Sequence, residues 1–201
     1  MFVLKPKAVA VAVGVAGLAV VPWVVGGAAR ADTSAAPAAL DPLAVVPVLA
    51  APAGANDTPT AAERRMLPTI DASARAVATE SGRGWVVARG DEICFAVPDV
   101  GGAGMGSSCD AVATVAQRGL PSLRMTYGST KVGVSWLLAK GMTVSVEDRD
   151  GARRQLSGDG VVARGVIDNP AAFVIKDASG ATSRMLAPVP VTDSDVQVKP
   201  E

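Results

Sequence analysis

The only two cysteines of the chain, Cys94 and Cys109, fall inside residues 84–119, and that stretch constrains the fold more than any other. Two short apolar runs, Trp85-Val86-Val87-Ala88 and Ile93-Cys94-Phe95-Ala96-Val97, flank the turn Arg89-Gly90-Asp91-Glu92 and read as a β-hairpin. Gly101, Gly102, Gly104 and Gly106 then mark a loop, after which Ser107 or Ser108 is placed to cap a helix over 109–117. Val112, Val115 and Ala116 line one face of that helix, and Gly119 supplies its stop. The cysteines lack the C-x-x-C spacing of a redox pair, and Cys94 lies mid-strand, where a thiolate is poorly exposed. A structural disulfide joining Cys94 to Cys109, and so helix to hairpin, is expected. Closing a loop of about 15 residues is worth roughly 3 kcal/mol in the chain-entropy account.

A disulfide needs an oxidising compartment, and the N-terminus supplies the route. Lys5 and Lys7 precede an uncharged run rich in Ala and Val, and Ala29-Arg30-Ala31 offers the small-x-small pattern of a signal-peptidase site. Residues 1–31 therefore read as a signal peptide cut before Asp32. The competing reading is an uncleaved anchor, since the run is long enough to span a bilayer. Pro22 and Gly26-Gly27 break the helix ahead of the site and favour cleavage. In either case the lysines precede the span, which places the remainder outside the cytoplasm, and the membrane is met only through this segment.

Residues 32–60 carry Pro37, Pro42, Pro47, Pro52 and Pro59 and read as a flexible Pro/Ala-rich linker, although 43–49 is apolar enough to dock as one extended piece. A globular domain is expected over 61–187. Its first part, 61–80, has helical composition broken at Pro68, with a second helical piece over 72–79. From Leu123 the texture changes to short β runs: 123–127, 131–138, 142–147, 152–156, 161–164, 171–176 and 182–186, separated by turns such as Asp148-Arg149-Asp150-Gly151 and Asp177-Ala178-Ser179-Gly180. Residues 188–201, rich in Pro and Asp, read as a disordered tail. The fold expected is α+β: a helix, a β-hairpin and a disulfide-tied helix, then a small antiparallel β-sheet or sandwich.

The order Trp85-Val86-Val87, Cys94, a glycine loop, Cys109 and Gly119 is followed by Lys140-Gly141-Met142-Thr143-Val144-Ser145-Val146, Asp150-Gly151 and Asp168-Asn169. This order resembles a loose group of uncharacterised secreted or membrane-anchored actinobacterial proteins, in which a Trp-strand and Cys…Cys half precedes a β half. The resemblance covers roughly residues 61–187. Ala139-Lys140 stands where the group has Pro-Asp, so that turn departs from its pattern. The resemblance implies fold order and an extracellular location, and no activity.

Chemistry is narrowed chiefly by what is missing. The chain has no histidine, which excludes Ser-His-Asp and Cys-His catalysis and His-ligated metal sites. Removing Lys5, Lys7 and Arg30 from the 19 basic residues leaves three fewer than the 19 acidic ones, so nucleic acid is not an expected partner. The glycine loop lacks a P-loop lysine, and 147–151 lacks the ligand pattern of a calcium loop. Ser129-Thr130-Lys131 lacks the S-x-x-K spacing of penicillin-binding enzymes. Trp85, Tyr127 and Trp136 read as strand anchors before they read as a sugar platform. No cofactor, metal ligand or catalytic residue is expected. The function expected is a non-enzymatic cell-surface or envelope interaction or structural domain with an unidentified partner. The alternative is a hydrolase of envelope material that works without histidine. The mature protein is expected to begin at Asp32, which N-terminal sequencing checks; a native chain still starting at Met1 and embedded in membrane replaces cleavage with the anchor.

Overall fold

Apolar residues stand at every second position in segments such as 132–136 and 142–146, and a period of two builds strands. The computed structural model describes residues 39–67, 70–99, 103–125 and 129–189, and those from Pro37 onward belong to one compact unit. The preceding unit, with Ala29, Ala31 and the rest of the expected signal peptide, lies outside the described residues, as does the tail beyond 189.

Three four-stranded antiparallel sheets form the described part. The first is a meander of β1 (Arg75–Thr79), β2 (Gly82–Arg89), β3 (Glu92–Pro98) and β4 (Met105–Ala111). The second holds, in spatial order, β5 (Leu120–Met125), β6 (Lys131–Leu137), β10 (Val162–Asp168) and β9 (Ser157–Gly158). The third runs β12 (Thr182–Leu186), β11 (Ala172–Lys176), β7 (Thr143–Glu147) and β8 (Arg153–Gln155). Helices are short: α1 (Pro42–Val45), α2 (Pro47–Ala50), α3 (Ala61–Met66) and α4 (Val112–Arg118). The molecule is thus β-rich, which corrects the α+β expectation.

Two local readings account for that correction, and a third departs from the expectation without bearing on it. Residues 72–79 were expected as helix from their alanines, but Val77 and Thr79 are buried while Ala78 between them is exposed, and the segment pairs with β2 as β1. Alternating burial against a partner strand overrides weak helix propensity. Cys109 was expected on a helix, yet Met105–Ala111 is a full strand on β3, and the helix begins only at Val112. Ser107 and Ser108 sit in β4 and cap nothing; the N-cap is Ala111, which makes no side-chain cap bond. Gly and Ser compete poorly for helix, and a neighbouring open strand edge offers their backbone groups partners. The third reading is the linker. Its residues 43–49 dock as α1 and α2, each opened by a proline at a position that needs no N–H, and Val46 and Leu49 are 0% and 5% exposed.

The core lies in layers. Val132, Val134 and Trp136 of β6 meet Val144 and Val146 of β7 and Phe173 and Ile175 of β11, so the second and third sheets form a sandwich. Leu137 and Val162 point to the opposite face of the second sheet. There they join Val86 and Phe95 of the first sheet, Val115 of α4, and Val46. The outer face of the first sheet carries Trp85 and Val87, covered by Leu67, Ile70 and Ala74. Gly119 ends α4 at φ +67, its N–H bonded to the Val115 carbonyl at 2.8 Å, in the conformation that favours glycine. A Cβ there would also strike the Leu137 carbonyl and the Trp136 indole.

Cys94 and Cys109 are bonded to each other and directly opposed on β3 and β4, with Cα atoms 4.0 Å apart. Val112 N–H donates to the Asp91 carbonyl and Asp99 N–H to the Gly104 carbonyl, which puts the cysteines at a non-hydrogen-bonded pair of the ladder. The cross-link therefore fastens an edge strand to its neighbour within one sheet rather than a helix to a hairpin. Cys109 is exposed and Cys94 half-buried. The Cys94→Ser, Cys109→Ser chain is expected to lose about 2–4 kcal/mol in denaturant unfolding. Amide exchange should accelerate first in β4; acceleration spread evenly over β1 to β4 contradicts this account of the staple.

Candidate functional site

The candidate residues read from the sequence do not converge. Ser129 Oγ accepts from the Lys131 N–H at 3.1 Å, and Thr130 Oγ1 donates to Asp168 Oδ1 at 2.5 Å, a local turn around the start of β6. Trp85 and Trp136 are buried in different clusters and offer no stacking face, while Tyr127 lies outside the described residues. Trp136 packs on Phe173 with ring centroids 5.4 Å apart. In the 147–151 turn, Asp148 Oδ1 accepts from the N–H groups of Asp150 and Ala152, as a hairpin turn requires. Among the described residues no three or more acidic or cysteine side chains are grouped to hold a metal ion.

The carboxylates with perturbed acidity are all held ionised by neighbours. Glu63 is the clearest. It closes a capping box on Thr60 at the start of α3, accepting the Thr60 N–H at 2.7 Å. It also accepts from Arg83 Nη2 at 2.5 Å, Arg83 Nε at 3.0 Å and Trp85 Nε1 at 3.2 Å, while the Arg83 guanidinium lies 5.1 Å from the Trp85 ring centroid. Burial pushes its pKa up, but these donors outweigh burial and hold it at about 2. Hydrogen bonds from Arg118 lower Asp110, and those from Arg184 and Arg153 lower Glu147. At Asp57 burial raises the value, and the backbone N–H groups of Ala76 and Gly54 pull it down further. A general acid at neutral pH needs the opposite shift. These carboxylates are caps and ion-pair partners.

One concave feature lies where one edge strand of each sheet comes together. β4, β5 and β12 border a groove of about 520 Å3 whose floor is Leu120, Pro121, Trp136, Ile175 and Met185. Ser108 and Asp110 form one wall, and Ser183 and Arg184 the other. Past Arg118 it continues into a second hollow beside Gln117, Asp177 and Thr182. Trp136 Nε1 donates to the Arg118 carbonyl at 2.9 Å, so the floor is fixed to the end of α4. Arg118 Nη2 donates to Asp110 Oδ2 at 2.8 Å and braces the β4 wall. Ser108 Oγ is enclosed in that wall without a hydrogen-bond partner, an arrangement that costs about 1–3 kcal/mol when left unmatched. An apolar floor with a few polar groups at its walls is the common form of a binding site.

Sequence reasoning placed β12 but not the groove, because the groove is assembled from strands distant in the chain. The one available signal was that 182–186 is the last strand of its run, with Arg184 on its solvent face.

The Glu63 cluster has a pH signature. Its folded pKa lies below the ordinary 4.5, so its stabilisation is present above that value and is lost as pH falls through about 2. Glu63→Gln is expected to cost about 2–3 kcal/mol at pH 7 in urea unfolding, with the gap to the parent chain closing between those two values. An unchanged gap across that window would show that the charge of Glu63 contributes nothing. No family model, curated protein or solved structure matches the chain, so the groove is read from its own geometry.

Proposed function

We propose that this protein is an exported, non-catalytic interaction domain that holds a partner of the cell envelope in the groove between β4, β5 and β12. The observation that carries the reading is the convergence of three sheet edges on one apolar-floored groove. Edge strands are the positions where a folded sheet can offer unpaired backbone groups, and a groove bordered by them over an apolar floor has the form of an interaction site. The carboxylates support the same reading, since those with shifted acidity are committed to caps and arginines. The Cys94–Cys109 disulfide supports a location outside the cytoplasm, in accord with the basic and apolar N-terminal segment ending at Ala29-Arg30-Ala31. The resemblance to secreted actinobacterial proteins agrees with it.

A photo-reactive benzoylphenylalanine placed in living cells at Ser183, in the groove, and separately at Arg154, on the exposed β8, tests the reading. A discrete adduct from position 183 alone, recovered with the envelope, is the expected result. Equal adducts from both positions, none from the groove, or recovery of the chain from the cytosol would each overturn the proposal.

A further inference from the structure

The three sheets have six edges, and among the described residues three of them, β1, β8 and β9, are blunted. On β1 the outward Ala76 N–H is taken by Asp57 Oδ1 at 2.6 Å, and the outward Ala78 carbonyl by Arg164 Nη1 at 2.8 Å. β9 and β8 are two and three residues long, too short to template a partner. β4 and β5 approach each other at the groove. β12 has five residues, four of them exposed, and no described residue caps its outward groups.

The ladder shows which of its groups face out. Asp177 N–H donates to the Ala181 carbonyl and Ala187 N–H to the Ala171 carbonyl, so in a two-residue alternation Ala181, Ser183, Met185 and Ala187 bond inward to β11. Thr182 and Arg184 then present both N–H and C=O outward, along the length of the groove. Among the described residues nothing bonds to these four groups. Ser183 and Met185 oppose Ile175 and Phe173 on the core face, while Thr182, Arg184 and Leu186 occupy the other face, with Leu186 70% exposed.

Resting on the reading of the groove as the binding site, we propose that β12 accepts an extended segment of the partner polypeptide as a fifth, antiparallel strand of the third sheet, with an acidic side chain opposite Arg184. Charge decides that residue. Glu147 is shared by two guanidinium groups, Arg184 Nη2 at 2.8 Å and Arg153 Nη2 at 2.8 Å, so the cluster carries one more positive charge than negative. A carboxylate directly across from Arg184 completes it, and a second Arg184 does not, because like charges directly opposed on a sheet repel. That disfavours the symmetric register of two copies in which Arg184 faces Arg184. Residues on either side of the acidic one point to the core face of the sheet, over Trp136, Leu120 and Pro121, and are therefore apolar. The partner segment is an alternation of apolar and polar residues with one central carboxylate, bound by main-chain hydrogen bonds.

The probe is a fluorescent, end-blocked peptide Val-Thr-Val-Glu-Val-Thr-Val, compared with the same peptide carrying Lys in place of Glu, against the full chain. The Glu peptide is expected to bind about tenfold more tightly than the Lys peptide, and Arg184→Glu, at an exposed position, to reverse the order. Thr182→Pro removes an outward N–H that the native ladder does not use, and should weaken both peptides several-fold while leaving the fold intact. Amide exchange at Thr182 and Arg184 should slow only with peptide present. Equal affinity for the two peptides, indifference to Thr182→Pro, no binding, or a dimer of the chain in sedimentation would overturn strand addition. If the peptides fail while the adduct at position 183 persists, the groove reading stands and this mode of capture falls; if both fail, both readings fall.

Discussion

The contact between Gly119 and Trp136 is where the layers of this molecule are held together. Trp136 reaches from the sandwich core, where it packs on Phe173, to the carbonyl of Arg118 at the last turn of α4. The chain can pass so close to the indole and to the Leu137 carbonyl only because Gly119 has no side chain and tolerates φ +67. One hydrogen bond and one missing methyl thus set the distance between α4, β5 and β6. Arg118, oriented by the same turn, braces Asp110 on β4. The groove floor and one of its walls both follow from that junction, so the site is as rigid as the core beneath it.

A chain with few aromatics has to place them well. Trp85, Phe95, Trp136 and Phe173 are all within the buried interior, distributed over three clusters, and valines and alanines fill the space between them. The indole N–H of each tryptophan has a partner, Glu63 for Trp85 and the Arg118 carbonyl for Trp136. Burying such groups unpaired would offset much of what their area contributes. Glu63 does double duty here, since the carboxylate that caps α3 also fixes Arg83 and the indole of Trp85. A short helix of six residues, too small to be stable by itself, is thereby bound to the first sheet.

The second half of the chain was legible where a strand has one face in the sandwich and the other outside it, so that period-two alternation survives in its sequence. Val144 and Val146 of β7 and Val132 and Val134 of β6 carry that signal directly. The first half was harder for a physical reason. Ala76 and Ala78 are good helix formers that lie on an edge strand whose outward groups are capped by Asp57 and Arg164, contacts no local pattern announces. Cys109 looked like the first turn of a helix because Val112, Val115 and Ala116 do lie at helical spacing; the helix simply starts later. Val46 and Leu49 were hidden among prolines, which forbid a long helix but open two short ones. The disulfide partners were readable from count alone, whereas the strand on which Cys109 sits was not.

Edges explain why the groove stands where it does. Stacking three sheets leaves six rows of unpaired backbone groups, each a route to unwanted association. Side chains cap one row and brevity disarms two. Among the described residues nothing bonds to the outward groups of Thr182 and Arg184 on β12, which exposed Leu186 flanks, and such a row is a place for another strand. Arg184 makes that openness selective, since its charge, left in surplus by the shared Glu147, opposes another copy of the same strand and favours an acidic stranger.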